Sequence, residues 1–377
     1  MNIYLNNAAT GWPRAHNVIK AVSYMLEHQP SNSGRVSAES DTIIGECRKL
    51  VARLLDVSDP SRIILTVNAT HALNLAIHGL NLGNNDHIIT TVLEHNSVLR
   101  PVNHLREKYP GLRISVINLD NNGQLDYEKF SQALSAEPTV VIINHASNVT
   151  GHIYDVAGLF SDAKKAGAIT VLDATQTTGA IPVSPMRLNA DLVAFTGHKA
   201  LHGPPGTGGL YVSPELELKQ VYVGGTGIRS DMALHPPEMP LRLEAGTPNS
   251  PAIAGLHAAL QWHEKKGNEY SKLTGKYIQR LYEELSEIRG VSIFDKNSDV
   301  DRVGVISFKI EGWSVEETGY ILAESFGIIC RTGLHCAPLI HKAIGSAPEG
   351  TVRFSVSGFN TDEDIMCAIK AIRKLSS

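Results

Sequence analysis

Short apolar runs recur through the first half of the chain, each closed by polar residues: 62–67, 87–92, 139–144, 168–173 and 191–196. They are rich in Val, Ile and Leu and too short for helices, so they read as buried strands. Helical spacing fills the gaps. Leu159, Ala163 and Ala166 share one face, and a helix is expected from Asn96 onward. Such alternation builds an α/β fold whose sheet is mainly parallel and covered on both faces. Ligands in sheets of this kind lie beyond the carboxyl ends of the strands. That directs attention to Asp173, to the turn 196–199 and to the stretch 144–148.

The pattern changes after about residue 250. Helices are expected over 251–266 and 269–288, then strands over 303–310 and 351–356 mixed with helices over 314–325 and 361–375. The expected organisation is a large domain over 1–265 and a smaller C-terminal α+β domain over 266–377 carrying the cysteine loop. The first fifteen or so residues are expected to pack with the smaller one.

A chain of 377 residues buries enough surface to need no disulfides. Its formal charge of −4 argues against a polybasic nucleic-acid-binding or membrane-surface protein. No apolar run approaches the roughly 20 residues needed to span a bilayer. The N-terminus lacks the basic stretch and apolar core of a signal peptide, so a cytoplasmic location is expected. Cys47, Cys330, Cys336 and Cys367 form no CxxC pair and are expected as free thiols, with no metal site. Cys47 falls on an apolar helical stripe with Ile43, Leu50, Val51 and Leu54, and Cys330 lies in an apolar run. Cys336 alone sits in a polar, glycine-containing loop, beside His335 and close to Arg331. A neighbouring cation favours the reactive thiolate.

The run 203–210 looks like a phosphate-binding loop, but Gly209 and Leu210 stand where that loop needs Lys and Ser or Thr. Its glycines point instead to backbone passing close to something bound nearby. Asp173-Ala174-Thr175-Gln176 and Thr196-Gly197-His198-Lys199 place an acid at one strand end and a lysine at another. Pyridoxal phosphate needs both: a lysine for the Schiff base and a carboxylate on the pyridinium nitrogen. On these residues alone, a surface lysine and a helix-capping aspartate stay open as the alternative. His95 either stacks on a cofactor ring or is a structural loop histidine. Thr70 and His71 open a helix whose N–H groups would face an anion, or Thr70 is an ordinary cap.

Taken in order, from Tyr4-Leu5-Asn6-Asn7-Ala8-Ala9-Thr10 to Val352-Arg353-Phe354-Ser355, these segments resemble the class V aminotransferase group of fold-type I pyridoxal phosphate enzymes. Within it the chain is similar to the cysteine desulfurases and selenocysteine lyases. The form Arg331-x-Gly333-x-His335-Cys336-Ala337 is similar to the second desulfurase group. The resemblance implies that Lys199 bonds the cofactor, Asp173 pairs with the pyridinium nitrogen, Gln176 reaches the phenolic oxygen and His95 stacks on the ring. Thr70, His71, Thr196 and His198 would hold the phosphate, joined by Thr247 of a second subunit in a homodimer. Asn148, Arg331 and Arg353 would bind substrate, and Cys336 would receive the sulfur.

The implied activity is pyridoxal phosphate-dependent removal of sulfur or selenium from L-cysteine or L-selenocysteine, giving L-alanine and serving a sulfur or selenium acceptor protein. Another class V reaction (transamination or epimerisation) and a cofactor-retaining scaffold for transfer partners are the alternatives. The chain departs from the common family pattern at Ala174, Thr175, Thr196, Asn96 and Leu334. Leu334 makes the surroundings of Cys336 less polar, which tilts the expectation toward selenocysteine.

Overall fold

The computed structural model describes residues 2–28, 42–294 and 300–377. In chain order its strands are β1 (Ile3–Tyr4), β2 (Ile63–Thr66), β3 (His87–Thr91), β4 (Arg113–Ile117), β5 (Val140–Asn144), β6 (Ile169–Asp173), β7 (Leu192–Thr196), β8 (Gly208–Val212), β9 (Val291–Ile293), β10 (Val305–Ile310), β11 (Ile328–Ile329), β12 (Arg331–Gly333) and β13 (Thr351–Ser355). The α-helices are α1 (Val18–Glu27), α2 (Ile43–Leu54), α3 (Ala69–Gly79), α4 (Asn96–Lys108), α5 (Tyr127–Leu134), α6 (Val156–Lys165), α7 (Ser250–Ser286), α8 (Val315–Phe326), α9 (Pro338–Ala343) and α10 (Asp362–Leu375).

The apolar runs pair into a seven-stranded sheet of order β2-β8-β7-β6-β5-β3-β4. The five strands from β7 to β4 in that order are parallel to their neighbours, and β8 is antiparallel to both β2 and β7. Strands β3, β5 and β7 are buried along their whole length. Alternate residues feed two cores: Val141 and Ile143 join Phe130, Phe160 and Phe195 on one face, while Val140 and Ile142 join Leu73, Val98 and Val102 on the other. Both sides are apolar, which is why these strands read as continuous runs in the sequence.

Two strands escaped that reading. β4 lies at the sheet edge with a partly exposed face, so it lacks an apolar run. β8 is hidden in the glycine-rich stretch. A Cβ on Gly208 would stand 2.8 Å from the Asn68 backbone and from the Phe195 carbonyl oxygen, and one on Gly209 would strike the Phe195 ring. What passes close to these two glycines is the protein's own strand and ring.

The two helices expected around residue 267 are one, α7. Gly267 does not break it. A Cβ there would come within 2.5 Å of the His263 ring, so the glycine makes room for that ring. At 1.5 Å per residue the helix is roughly 55 Å long. Its first half packs Leu256 and Leu260 into the large-sheet core, and its second half packs Tyr277, Ile278, Leu281 and Leu285 into another.

That other core lies against an antiparallel sheet of order β12-β13-β10-β9. Capping boxes at Ser314/Glu317 and Thr361/Asp364 start α8 and α10. The N-terminus joins this part of the molecule: β1 pairs in parallel with β11, Asn6 bridges to Ser355, and Leu5 is fully buried there. Cys47 is buried in α2 beside Leu50 and Val51, and burial pushes its thiol pKa up to about 12. Cys330 packs against the C-terminal core, and burial raises its thiol pKa to about 12 as well. Among the described residues no helix is long and apolar enough to cross a membrane, and no cluster of three or more His, Cys, Asp or Glu could hold a metal ion.

Candidate active site

Parallel pairing sets the carboxyl ends of β5, β6 and β7 side by side, with Asn144 opposite Asp173 and Asp173 opposite Ala194. Lys199 follows β7 in a tight turn. Gly197 N donates to Thr207 O (3.0 Å) and His202 N to Lys199 O (2.8 Å). The N-terminal segment clamps the turn from outside: Gly11 N donates to His198 O at 2.7 Å, and Arg14 Nη1 reaches both His198 O and Gly203 O. Burial pushes the Lys199 ammonium pKa down to about 8; Arg353 and Arg331 act in the same direction and Asp173 opposes them.

Asp173 ends β6 and is itself buried. Its Oδ1 accepts the Thr175 N–H at 2.9 Å and the Thr175 hydroxyl. His95 is the N-cap of α4, and its Nδ1 accepts from Ser97 N at 3.0 Å. Ser97 Oγ lies 2.9 Å from the same ring nitrogen and 2.7 Å from Thr70 Oγ1. Burial, reinforced by Lys199, pushes the His95 pKa down to about 4. The ring is therefore neutral at pH 7, and a proton-accepting Nδ1 leaves its proton on Nε2.

Thr70, His95, Asn148, Asp173, Gln176, Thr196, His198 and Lys199 line one polar cavity. Cys336 stands on an adjoining groove, which shares Thr70, His95 and Ser97 with that cavity. The cysteine loop is held under backbone strain, since His335 (φ 49°) and Cys336 (φ 60°) are successive non-glycine residues in the left-handed region. Its anchors are Asn148 Nδ2 to His335 O (2.8 Å), Asn96 N to Cys336 O (2.7 Å), and the His335 ring against Thr351 Oγ1 (3.0 Å). Arg331 Nη2 lies 3.4 Å from Cys336 Sγ.

Arg353 sits directly across the β12–β13 ladder from Arg331 and is 1% exposed. Its Nη1 donates to Asn148 O at 2.8 Å, while its Nε and the Asn148 Oδ1 are buried without partners.

His71, expected at the phosphate, lies outside the cavity, and Thr247 is expected to serve a second subunit. The His71 N–H is committed to Asn68 Oδ1, and its ring packs edge-on against Tyr222, outside the cavity wall. Thr247 is exposed on the segment before α7. Three neighbours of the site went unread: Thr175, Ser97 and Glu94. Their only signals were adjacency to Asp173 and His95 and a polar residue at a helix start.

A model of the family described as aminotransferase class-V matches residues 3–367. The chain belongs to the class-V aminotransferase family. Among its curated relatives, a probable cysteine desulfurase of Methanothermobacter thermautotrophicus is 29% identical, over 100% of this chain and 95% of the relative. A probable cysteine desulfurase of Pyrococcus abyssi is 32% identical, over 99% of this chain and 94% of the relative. The solved apo structure of a cysteine desulfurase from Thermococcus onnurineus NA1 superposes with a TM-score of 0.90 at 31% identity, covering 100% of this chain and 94% of that one. This class-V chain thus shares the α/β architecture of cysteine desulfurases along its whole length.

Proposed function

We propose that the chain is a pyridoxal phosphate-dependent cysteine desulfurase, which removes sulfur from L-cysteine, leaves L-alanine and receives the sulfur on Cys336. The observation that carries this reading is the convergence of Lys199 and Asp173 on one polar cavity, with Cys336, contacted by Arg331, on the adjoining groove. Cysteine is preferred to selenocysteine because the curated relatives are named for it.

The residues present fit the cofactor. Lys199 offers an amine with a depressed pKa, Asp173 a buried carboxylate at a strand end, and Thr70 the first turn of a helix beside the Ser97 hydroxyl, with Thr196 lining the same cavity. Lys199 would hold it covalently, Asp173 would meet the ring nitrogen, Gln176 the phenolic oxygen and His95 the ring face. Thr70, Thr196 and His198 would hold the phosphate, with Thr247 of a second copy completing it in a homodimer. Bound there, pyridoxal phosphate supplies an electron sink for the substrate α-carbon.

The chain's own residues do the rest. Arg353 and Asn148 hold the substrate carboxylate and amine. The Lys199 amine takes the α-proton. Cys336 Sγ attacks the substrate sulfur; the Sγ–S bond forms as Cβ–S breaks, and the electron pair stays with the carbon. Arg331 Nη2, 3.4 Å from Cys336 Sγ, orients the attacking sulfur. The persulfide then passes to an acceptor thiol. A reducing compartment such as the cytoplasm suits a reaction that needs Cys336 as a free thiol. On this reading 1–265 and 266–377 form two domains, with α7 crossing between them.

The test is alanine release from L-cysteine and from L-selenocysteine by the loaded enzyme and by Cys336→Ala. Loss of cysteine turnover in Cys336→Ala, with the visible cofactor band retained, is expected. Full cysteine turnover without Cys336, or borohydride reduction that leaves Lys199 unlabelled, overturns the proposal. Keto-acid formation instead of alanine would indicate transamination.

A further inference from the structure

Glu94 precedes His95 in the turn between β3 and α4 and is fully buried. Its Oε1 accepts two hydrogen bonds, from Thr91 Oγ1 at 2.8 Å and from Asn144 N at 3.1 Å. Thr91 Oγ1 accepts Leu93 N in turn, and Asn144 Nδ2 returns to Leu93 O. The turn carrying His95 is thereby laced to the end of β5, where Asn144 stands opposite Asp173. Glu94 Oε2 is buried with no partner. Asp173, a like charge, acts on Glu94 and raises its pKa further. An ionised carboxylate in that position would be desolvated, unpaired and repelled. Burial, first of the causes, raises its pKa to about 8.

We propose that Glu94 is a positioning residue held as the neutral acid: Oε1 ties the His95 turn to the strand end beside Asp173, and the proton on Oε2 keeps a second negative charge away from that strand end. The inference rests on the roles given above to His95 and Asp173. It assigns Glu94 no contact with substrate or cofactor. A neutral acid keeps the two acceptor bonds without placing a second negative charge near the cofactor's ring nitrogen.

Two variants separate the neutral strap from an anion. Glu94→Gln keeps an acceptor oxygen for Thr91 and Asn144 and puts an amide where the acid proton sits. Glu94→Leu keeps the bulk and strands both donors. For Glu94→Gln, the dissociation constant of pyridoxal phosphate should stay within about twofold of wild type, with the pH midpoint of the visible band unmoved. For Glu94→Leu, cofactor binding should weaken about tenfold, because two buried donors lose their partner. Thr91→Val, which removes one donor, replaces Glu94→Leu if the latter does not fold. In cofactor-free protein at pH 7, an infrared carbonyl band of a protonated carboxyl should be present in wild type and absent in Glu94→Gln. Absence of that band in wild type, or a Glu94→Gln midpoint shifted by about a pH unit, overturns the inference. If wild type itself binds no pyridoxal phosphate, the cofactor reading fails, and the infrared band still decides the state of Glu94.

Discussion

Arg331 Nη2 lies 3.4 Å from Cys336 Sγ, at the end of a loop whose last two residues both hold left-handed backbone angles. The pair is five positions apart in the sequence, yet the contact depends on Gly333 and the strained His335-Cys336 step that fold the chain back. A guanidinium held against a sulfur fixes the direction in which that sulfur attacks. Arg331→Gln is expected to slow alkylation of Cys336 by iodoacetamide at pH 7 about tenfold, read by mass spectrometry of the modified peptide. An unchanged rate would show that the guanidinium does not act on the sulfur.

The depressed pKa of Lys199 predicts a pH profile. Only the neutral amine attacks an aldehyde, so capture of pyridoxal phosphate by cofactor-free protein should rise about tenfold per pH unit below about 8 and level off above it. A free lysine would keep climbing toward 10.5. Removing Arg353, one of the cations that push the ammonium pKa down, should move the inflection to higher pH in Arg353→Gln. Rapid-mixing absorbance measures both.

Arg353 is buried and bound to the Asn148 carbonyl, with a forked guanidinium suited to a carboxylate. Arg353→Lys keeps the charge and loses the fork. It should raise KM for L-cysteine about tenfold or more, with a smaller change in kcat. Steady-state alanine production gives the two constants separately.

Gly197 has no room for a side chain. A Cβ would strike the Thr207 hydroxyl and stand 2.8 Å from Leu256 Cδ1. Gly197→Ala should cost about 1–3 kcal/mol in denaturant unfolding through overpacking. Because the turn also aims Lys199, it should weaken cofactor retention too, measured by dialysis.

Glu94 should leave a mark on stability as a function of pH. Its folded pKa of about 8 stands above its ordinary value of 4.5, so the folded state keeps a proton that the unfolded chain releases. The resulting stability is full below the ordinary value and is lost as pH rises through the folded one. Relative to Glu94→Gln, wild type should lose about 1.4 kcal/mol per pH unit across that window and then level off. Urea unfolding at several pH values checks the difference.

Much of this was legible from residues alone. β3, β5, β6 and β7 announce themselves because parallel central strands are apolar on both faces. Asp173 and Lys199 drew attention by the same logic, since parallel strands deliver their following residues to one edge, but their expected roles came from the family resemblance. Cys47 could be set aside because its helical stripe is apolar. β8 was not legible, because its glycines answer to Phe195 on the neighbouring strand and to Asn68, far off in the chain. Nor was the continuity of α7, where the reason for Gly267 is a ring one helical turn earlier.

The amino-acid sequence by itself determined which strands are buried and where their polar ends lie. Those follow from hydrophobic periodicity and residue type, which are local. Tertiary structure decided the pairings: Asn148 with both Arg353 and the cysteine loop, Glu94 with Asn144, the Thr10–Arg14 segment with the lysine turn, and the withdrawal of His71 from the cavity. Several of these partners are 50 to 205 residues apart along the chain. Their hydrogen bonds exist only because packed sheets and helices bring distant backbone into register, and no local pattern encodes that distance.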